Sequence, residues 1–142
     1  MSEPGDRLLL DTHALLWSMA GTLDGKVVEA IAKAVQANGL LVSPVSAWEL
    51  GMLSRPLSGS PRVRLAPSPE RWFNQVLAKP GLTDAPLSVA IALAASALPE
   101  FHRDPADRLL VATARALNVP IVTRDRKILD YAEAGHVKAV AC

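Results

Sequence analysis

The sequence predicts an α/β fold, a mainly parallel central sheet flanked by helices, organised as a single domain over residues 1–142. Three observations predict it. Short apolar runs of strand length alternate with longer segments of helical periodicity, an order that packs helices on both sides of a parallel sheet. The chain of 142 residues is long enough for one domain with a real core. Half of the residues are hydrophobic, rich in Ala and Leu and poor in aromatics, which favours helices.

Taken in order, "RLLLD" reads as the first strand, ending in Asp11. A short helix follows through Leu15, Leu16 and Met19 and stops near Gly21. The segment "DGKVVEAIAKAVQANG" places Val27, Val28, Ile31, Ala34 and Val35 at helical spacing, with Asp24 at its start and Gly39 at its end. "LLVS" is a second strand. Ser43 and Pro44 then supply a cap and a first helical residue, and "VSAWELGMLSR" continues as helix. "PLSGSPRVRLAPSP" is loop-rich. Ser68-Pro69 repeats the cap and first-turn signal ahead of "RWFNQVLAK". "PLSVAIALAASAL" reads as an apolar helix, and "DPADRLLVATARALNVP" as another that starts near Asp104. "VPIVTRD" is a strand ending in an acid, "KILDYAEAG" a short helix and "VKAVA" a final strand.

The bulk properties narrow the function classes. The formal net charge is +1, so no global field calls for nucleic acid or membrane, and any charge asymmetry is local. Cys142 is the only cysteine, which excludes an intrachain disulfide and suits a reduced cytoplasmic setting. The opening "MSEPGDR" lacks the apolar stretch of a signal peptide. The longest apolar-leaning run, "LSVAIALAASAL", has 12 residues, and a bilayer span needs roughly 20. A soluble protein with no membrane partner is expected.

The acids carry the chemistry. In parallel sheets ligands bind outside the carboxyl ends of the strands. Asp11 and Asp125 end strands, Glu49 lies on the helix after the second strand, and Asp104 and Asp107 begin a long helix. Each also has a purely structural reading. An Asp after a strand commonly caps the next helix, which serves Asp11 or Asp125 taken alone, and Asp104 before Pro105 is read as a cap. Asp107 lies where acids suit the helix dipole. Glu49 is harder to explain structurally. It falls in an apolar stripe with Val45, Trp48, Met52 and Leu53, and the nearest following base, Arg55, is six residues away. Several carboxylates converging without matched bases repel one another unless a cation holds them. Hard divalent cations take oxygen ligands, so the set reads as a Mg²⁺ or Mn²⁺ site. Hydrolysis at phosphorus is the chemistry such a site most often serves.

The stretches "LLLDTHALLW", "SAWELGML" and "HRDPADRLLVATARALNVPIVTRD" resemble, in that order, the motifs of the PIN-domain family, and of its VapC toxin group in particular. The resemblance runs from about Arg7 to Val140, and segment 102–125 is its most specific part. It implies a parallel sheet flanked by helices, four acids that bind Mg²⁺ or Mn²⁺, and endoribonuclease activity inhibited by a small antitoxin. It also implies a homodimer. Carried over by motif, the catalytic and metal-binding acids fall on Asp11, Glu49, Asp107 and Asp125, with Thr12 as the hydroxyl beside the first. Asp104 matches an additional acid of the "HRDPxDR" subgroup, with a capping or supporting role. Ala106 stands where that subgroup often carries a bulky aromatic.

The remaining residues are weighed on their own chemistry. His13 and His102 are read as structural or supporting residues ahead of direct catalysis. Trp17, Trp48 and Trp72 lie at helical apolar positions and are read as core or dimer packing. Arg124, Arg126 and Lys127 flank Asp125 and form either a solvated run or a hold on the RNA backbone. Arg55, Arg62 and Arg64 are weaker candidates for the same groove. The helices "AIALAASAL" and "ALLWSM" are candidate interfaces. A receiver domain would need an acid pair near the first strand and a Lys after a late strand, where "VTRDRK" offers Asp125 instead. A dehalogenase-type phosphatase needs D-x-D, and His13 occupies the second position. The alternatives that stay open are a catalytically inactive PIN-like scaffold binding RNA or protein, and a metal-dependent nuclease acting on DNA.

Overall fold

Five strands and seven helices alternate through the chain in a computed structural model that describes residues 6–55 and 59–142. Residues 1–5 and 56–58 lie outside the described residues, and with them most of the opening segment read above as lacking a leader and the start of the Pro-rich loop. The strands are β1 (Leu8–Leu10), β2 (Leu40–Val42), β3 (Leu82–Asp84), β4 (Ile121–Thr123) and β5 (Ala139–Ala141). The helices are α1 (Thr12–Ala20), α2 (Lys26–Gln36), α3 (Pro44–Ser54), α4 (Pro69–Leu77), α5 (Val89–Ser96), α6 (Pro105–Leu117) and α7 (Arg126–Glu133). The sheet is parallel throughout, in the order β3-β2-β1-β4-β5.

The two-residue period of a strand explains the two cores. Leu9, Leu41 and Ile121 point to one face, where they meet Leu110 and Val111 of α6 and Ile128 and Tyr131 of α7. Leu8, Leu10, Leu40, Val42 and Val122 point to the other, against Ala14 and Leu15 of α1, Val27 and Ala34 of α2, and Val76 of α4. Helix α3 contributes Val45 to the first face and Leu50 to the second. With both faces covered, the central strands are buried at every position, which is why "LLL", "LLV" and "IVT" show no alternation of apolar with exposed polar residues.

The caps follow the sequence reading, with one exception. Ser43 and Ser68 accept backbone N–H groups from Val45 at 3.0 Å and Arg71 at 3.2 Å. Gly21 closes α1 at φ 71°. Helix α2, expected to start at Asp24, has Gly25 at its N-cap and no side-chain cap, and its C-terminal turn places the positive φ on Asn38 ahead of Gly39.

Strand β3 went unread in the sequence. Its residues are half-buried or exposed and end in Asp84, so no apolar run marks it. It pairs with β2 because Gly81, at φ +85°, lets the chain pass Val35. A Cβ there would lie 2.3 Å from the Val35 carbonyl. The apolar stripe drawn on α3 is also corrected: Trp48 and Met52 are exposed, and the buried residues are Val45, Ser46 and Leu50. In "ALLWSM", Ala14 and Leu15 are buried, and the partly buried Leu16 and Met19 pack against the same core.

Candidate active site

The strand order reverses direction between β1 and β4: the chain builds outward on one side through β2 and β3, and on the other through β5. A crevice forms at such a point, outside the carboxyl ends of the two strands. The register pairs Leu10 with Val122, and the Asp11 N–H donates to the Val122 carbonyl at 3.1 Å. Asp11 and Asp125 therefore arrive at the same edge from adjacent strands. Here lies a cavity of about 410 Å³ lined by Asp11, Thr12, His13, Trp17, Glu49, Asp104, Asp107, Arg124 and Asp125.

Three of the acids cap helices and line this cavity at once, so the choice posed by the sequence between cap and site is not exclusive. Asp11 Oδ1 accepts the Ala14 N–H at 2.7 Å. Asp104 Oδ1 accepts the Asp107 N–H at 3.2 Å. Asp125 Oδ1 accepts the Lys127 and Ile128 N–H groups at 2.8 and 3.2 Å. Each cap also aims a helix N-terminus, with its partial positive charge, at the cavity edge. Glu49 is placed by α3. Its Oε1 accepts the Thr12 hydroxyl, and Thr12 Oγ1 lies 3.1 Å from Ser46 Oγ. Thus the partner sought for Glu49 is a hydroxyl, while Arg55 pairs with Glu70.

The electrostatics record crowding. Burial, followed by the charges of Asp104, Asp125, Glu49 and Asp11, pushes the Asp107 carboxyl up to about 7. Burial also raises Asp11, against the hydrogen bonds from Thr123 and Ala14, and Asp125 adds to the rise. Glu49 is raised first by burial and further by Asp104 and Asp11, with the Thr12 hydroxyl acting the other way. A hydroxyl that donates to a carboxylate favours its charged form, yet burial dominates in both residues.

The flanking bases separate in space. Arg124 lines the cavity. Its guanidinium sits 4.0 Å from the centre of the Trp17 ring and its Nε donates to the Cys142 carbonyl at 2.9 Å. Arg126 turns away to Asp130 at 3.6 Å and lines another cavity, and Lys127 is exposed outside the acidic one. Arg55 and Arg64 line a third cavity, so they do not share the groove. Trp17 is a cavity wall, Trp48 is exposed, and Trp72 packs against Phe73. His13 is exposed at the cavity, with its ring 5.7 Å from that of Trp17.

His102 is the residue whose place the sequence reading underestimated. One donor atom from each of His102, Asp107 and Asp125 falls within a 4.8 Å group. The signal was present in "HRDPADR", where His102 lies five residues before Asp107. Only the turn into α6 brings them together, with His102 Nε2 3.3 Å from Asp107 Oδ2.

A family model described as PIN domain matches residues 8–134. The chain is 32% identical over 128 residues to Ribonuclease VapC22 of Mycobacterium tuberculosis, covering 87% of this chain and 91% of that protein. Among solved structures, VapBC2 from Rickettsia felis bound to a DNA fragment from its promoter superposes with a TM-score of 0.66 at 13% identity, covering 94% and 97% of the two chains. A toxin–antitoxin complex from Klebsiella pneumoniae gives 0.57 at 20% identity, covering 94% and 95%. At these identities the superpositions show the fold.

Proposed function

The chain belongs to the PIN-domain family, and from that premise we propose that it is a divalent-metal-dependent endoribonuclease, the toxin of a toxin–antitoxin pair. The observation that carries the reading is the convergence of Asp11, Glu49, Asp107 and Asp125 on one cavity at the carboxyl ends of β1 and β4. A relative and a structural neighbour support it, since one is a ribonuclease by name and the other a toxin–antitoxin complex. A scaffold used only for binding would gain nothing from a burial and crowding of acids that raises the carboxyl pKa values of Asp11, Glu49 and Asp107.

The donor set fits a hard cation. It offers carboxylate oxygens from four residues, and three of them have pKa values raised, first by burial and further by neighbouring carboxylates. Asp11, Glu49, Asp107 and Asp125 are the proposed ligands, and Mg²⁺ or Mn²⁺ the proposed ion. When bound, such an ion lowers the pKa of attacking water and offsets charge on the phosphodiester. The rest is the work of the chain. The Ala14, Lys127 and Ile128 N–H groups restrain Asp11 and Asp125 from their Oδ1 side. Thr12 holds Glu49 by its Oε1. Arg124, pinned by Trp17 and the Cys142 carbonyl, presents its terminal nitrogens to a phosphate at the rim. Arg126 and Lys127 do not line the cavity, which leaves them only a contact with the RNA backbone farther out.

The proposed partners are RNA, a cognate antitoxin and a second copy of the chain. On α5, Val89 is 78% and Leu93 66% exposed, an apolar face suited to a protein partner. Among the described residues no helix is long and apolar enough to cross a membrane, and we place the protein in the cytoplasm. The test is purified protein incubated with a panel of RNAs and Mg²⁺ or Mn²⁺. Cleavage should vanish in excess EDTA and return with added metal. Full activity in EDTA would refute the mechanism.

A further inference from the structure

We propose that His102 is a positioning residue for this site: its Nε2–H faces Asp107 Oδ2 and takes up that oxygen when a divalent cation loads the site, so that the other oxygen of Asp107 is presented to the ion. The proposal rests on the metal-dependent reading above and adds a residue to it.

The competing assignment makes His102 itself a metal ligand, since its ring shares a 4.8 Å group with Asp107 and Asp125. The other ring nitrogen decides between them. The Asp104 backbone N–H donates to His102 Nδ1 at 3.3 Å. Nδ1 therefore offers its lone pair, and in the neutral ring the proton sits on Nε2. A nitrogen that binds a metal must be bare, and its partner nitrogen then carries the proton and donates it outward. Here that would set an Nδ1–H against the Asp104 N–H, two donors facing each other. His102 is thus a donor toward Asp107 and not a ligand.

Nε2 has little choice of partner. It is shut off from solvent and makes no aligned hydrogen bond among the described residues, and Asp107 Oδ2 at 3.3 Å is the oxygen it faces. A buried N–H without an acceptor is costly, and contacts of this kind often tighten only when a site is loaded.

The loop between α5 and α6 is built to keep the ring there. Arg108, the residue after Asp107, donates to the carbonyls of Ala95, Ser96, Leu98, Phe101 and His102 at 3.0–3.4 Å. The Phe101 ring lies 4.3 Å from that of His102 and 4.5 Å from that of Tyr131, whose hydroxyl donates to the Pro99 carbonyl at 2.6 Å. One turn of α6 therefore carries both the carboxylate and the guanidinium that brings its partner into place.

The test has two arms. In metal-free protein with ¹⁵N-labelled histidine, long-range ¹H–¹⁵N spectra should show His102 with its proton on Nε2 and Nδ1 unprotonated. The opposite tautomer would overturn the proposal and leave the metal-dependent reading standing. In the second arm, Mn²⁺ binding is measured by calorimetry and the bound ion by pulsed electron paramagnetic resonance. His102→Ala should weaken Mn²⁺ binding by about 10- to 100-fold, the usual effect of removing a partner of a metal ligand. His102→Gln, which keeps an N–H donor, should recover part of the loss. The wild type should show no directly coordinated nitrogen. Unchanged Mn²⁺ affinity in His102→Ala, or a coordinated imidazole nitrogen, overturns the positioning role alone. A wild type that binds no Mn²⁺ overturns both that role and the metal-dependent reading.

Discussion

At Asp11 one oxygen accepts the Ala14 N–H at 2.7 Å, and the same carboxylate forms part of the cavity wall. Asp11→Asn keeps an oxygen for the cap but removes the charge. Its proposed role as a ligand predicts that Mn²⁺ binding and RNA cleavage fall together by more than about 100-fold, beyond the range for a ligand's partner. The metal-free variant should melt no lower than the wild type, because a buried negative charge is gone and the cap persists. Calorimetry and thermal denaturation read both effects, and a lost fold with unchanged metal affinity would contradict them. Arg124 and Lys127, three residues apart, differ in place. Arg124→Ala should weaken RNA binding and lower the log–log salt slope by roughly 0.7, as for one contact to a single strand. Lys127→Ala should do less, since the side chain does not line the cavity. Binding is best measured in the Asp11→Asn background at several salt concentrations. An equal response from the two variants would count against the special place of Arg124.

Helix α6 links core and site. Leu110, fully buried, meets the sheet while Asp107 one turn earlier lines the cavity. Leu110→Ala should cost about 2–5 kcal/mol in denaturant unfolding, through lost transfer energy and the hole left behind. Asp104→Ala should cost about 0.5–2 kcal/mol by removing the cap. Asp104→Asn should cost little stability and lower the Asp107 pKa, since the Asp104 charge is its largest cause after burial. Carboxyl ¹³C titration checks this, and an unmoved Asp107 would deny the coupling. At this scale most helices could be read from caps and spacing, because Ser43, Ser68, Asp104 and Gly21 act through neighbours in sequence. Strand β3 could not, since its pairing depends on β2 more than 40 residues away and on the Gly81 passage beside Val35.

Across the whole molecule the crowded acids link stability to pH and metal. Asp107 has a folded pKa of about 7 against an ordinary 3.8. Between those values the folded chain holds a proton that the unfolded chain has released, so stability falls as pH rises through this window and levels off above about 7. The raised pKa values of Asp11 and Glu49 act in the same direction. The melting temperature of metal-free protein should therefore drop from about pH 5 to about pH 8. Saturating Mn²⁺ at the higher pH should restore it, by about 2.7 kcal/mol when the ion stands at 100 times its Kd. A metal-free melting temperature that rises across the window would mean that the acids do not repel as described.

Sequence alone determined the alternation of strands and helices apart from β3, the caps apart from that of α2, and the placement of acids after strands, because strand and helix periods and capping are relations between near neighbours. It also placed Asp11 and Asp125 at one edge, given the rule for parallel sheets. Tertiary structure decided what depends on distance across the fold. It gave Glu49 a hydroxyl partner from α1 where an apolar stripe had been drawn, and it left Trp48 and Met52 exposed. It drew Arg124 onto Trp17 and turned Arg126 toward Asp130 although one residue separates the two. It also set His102 against Asp107 through a loop held by Arg108. The physical reason is common to all three: the direction of a long polar side chain is chosen by the charges and surfaces that folding brings near it, and those lie on other elements of the chain.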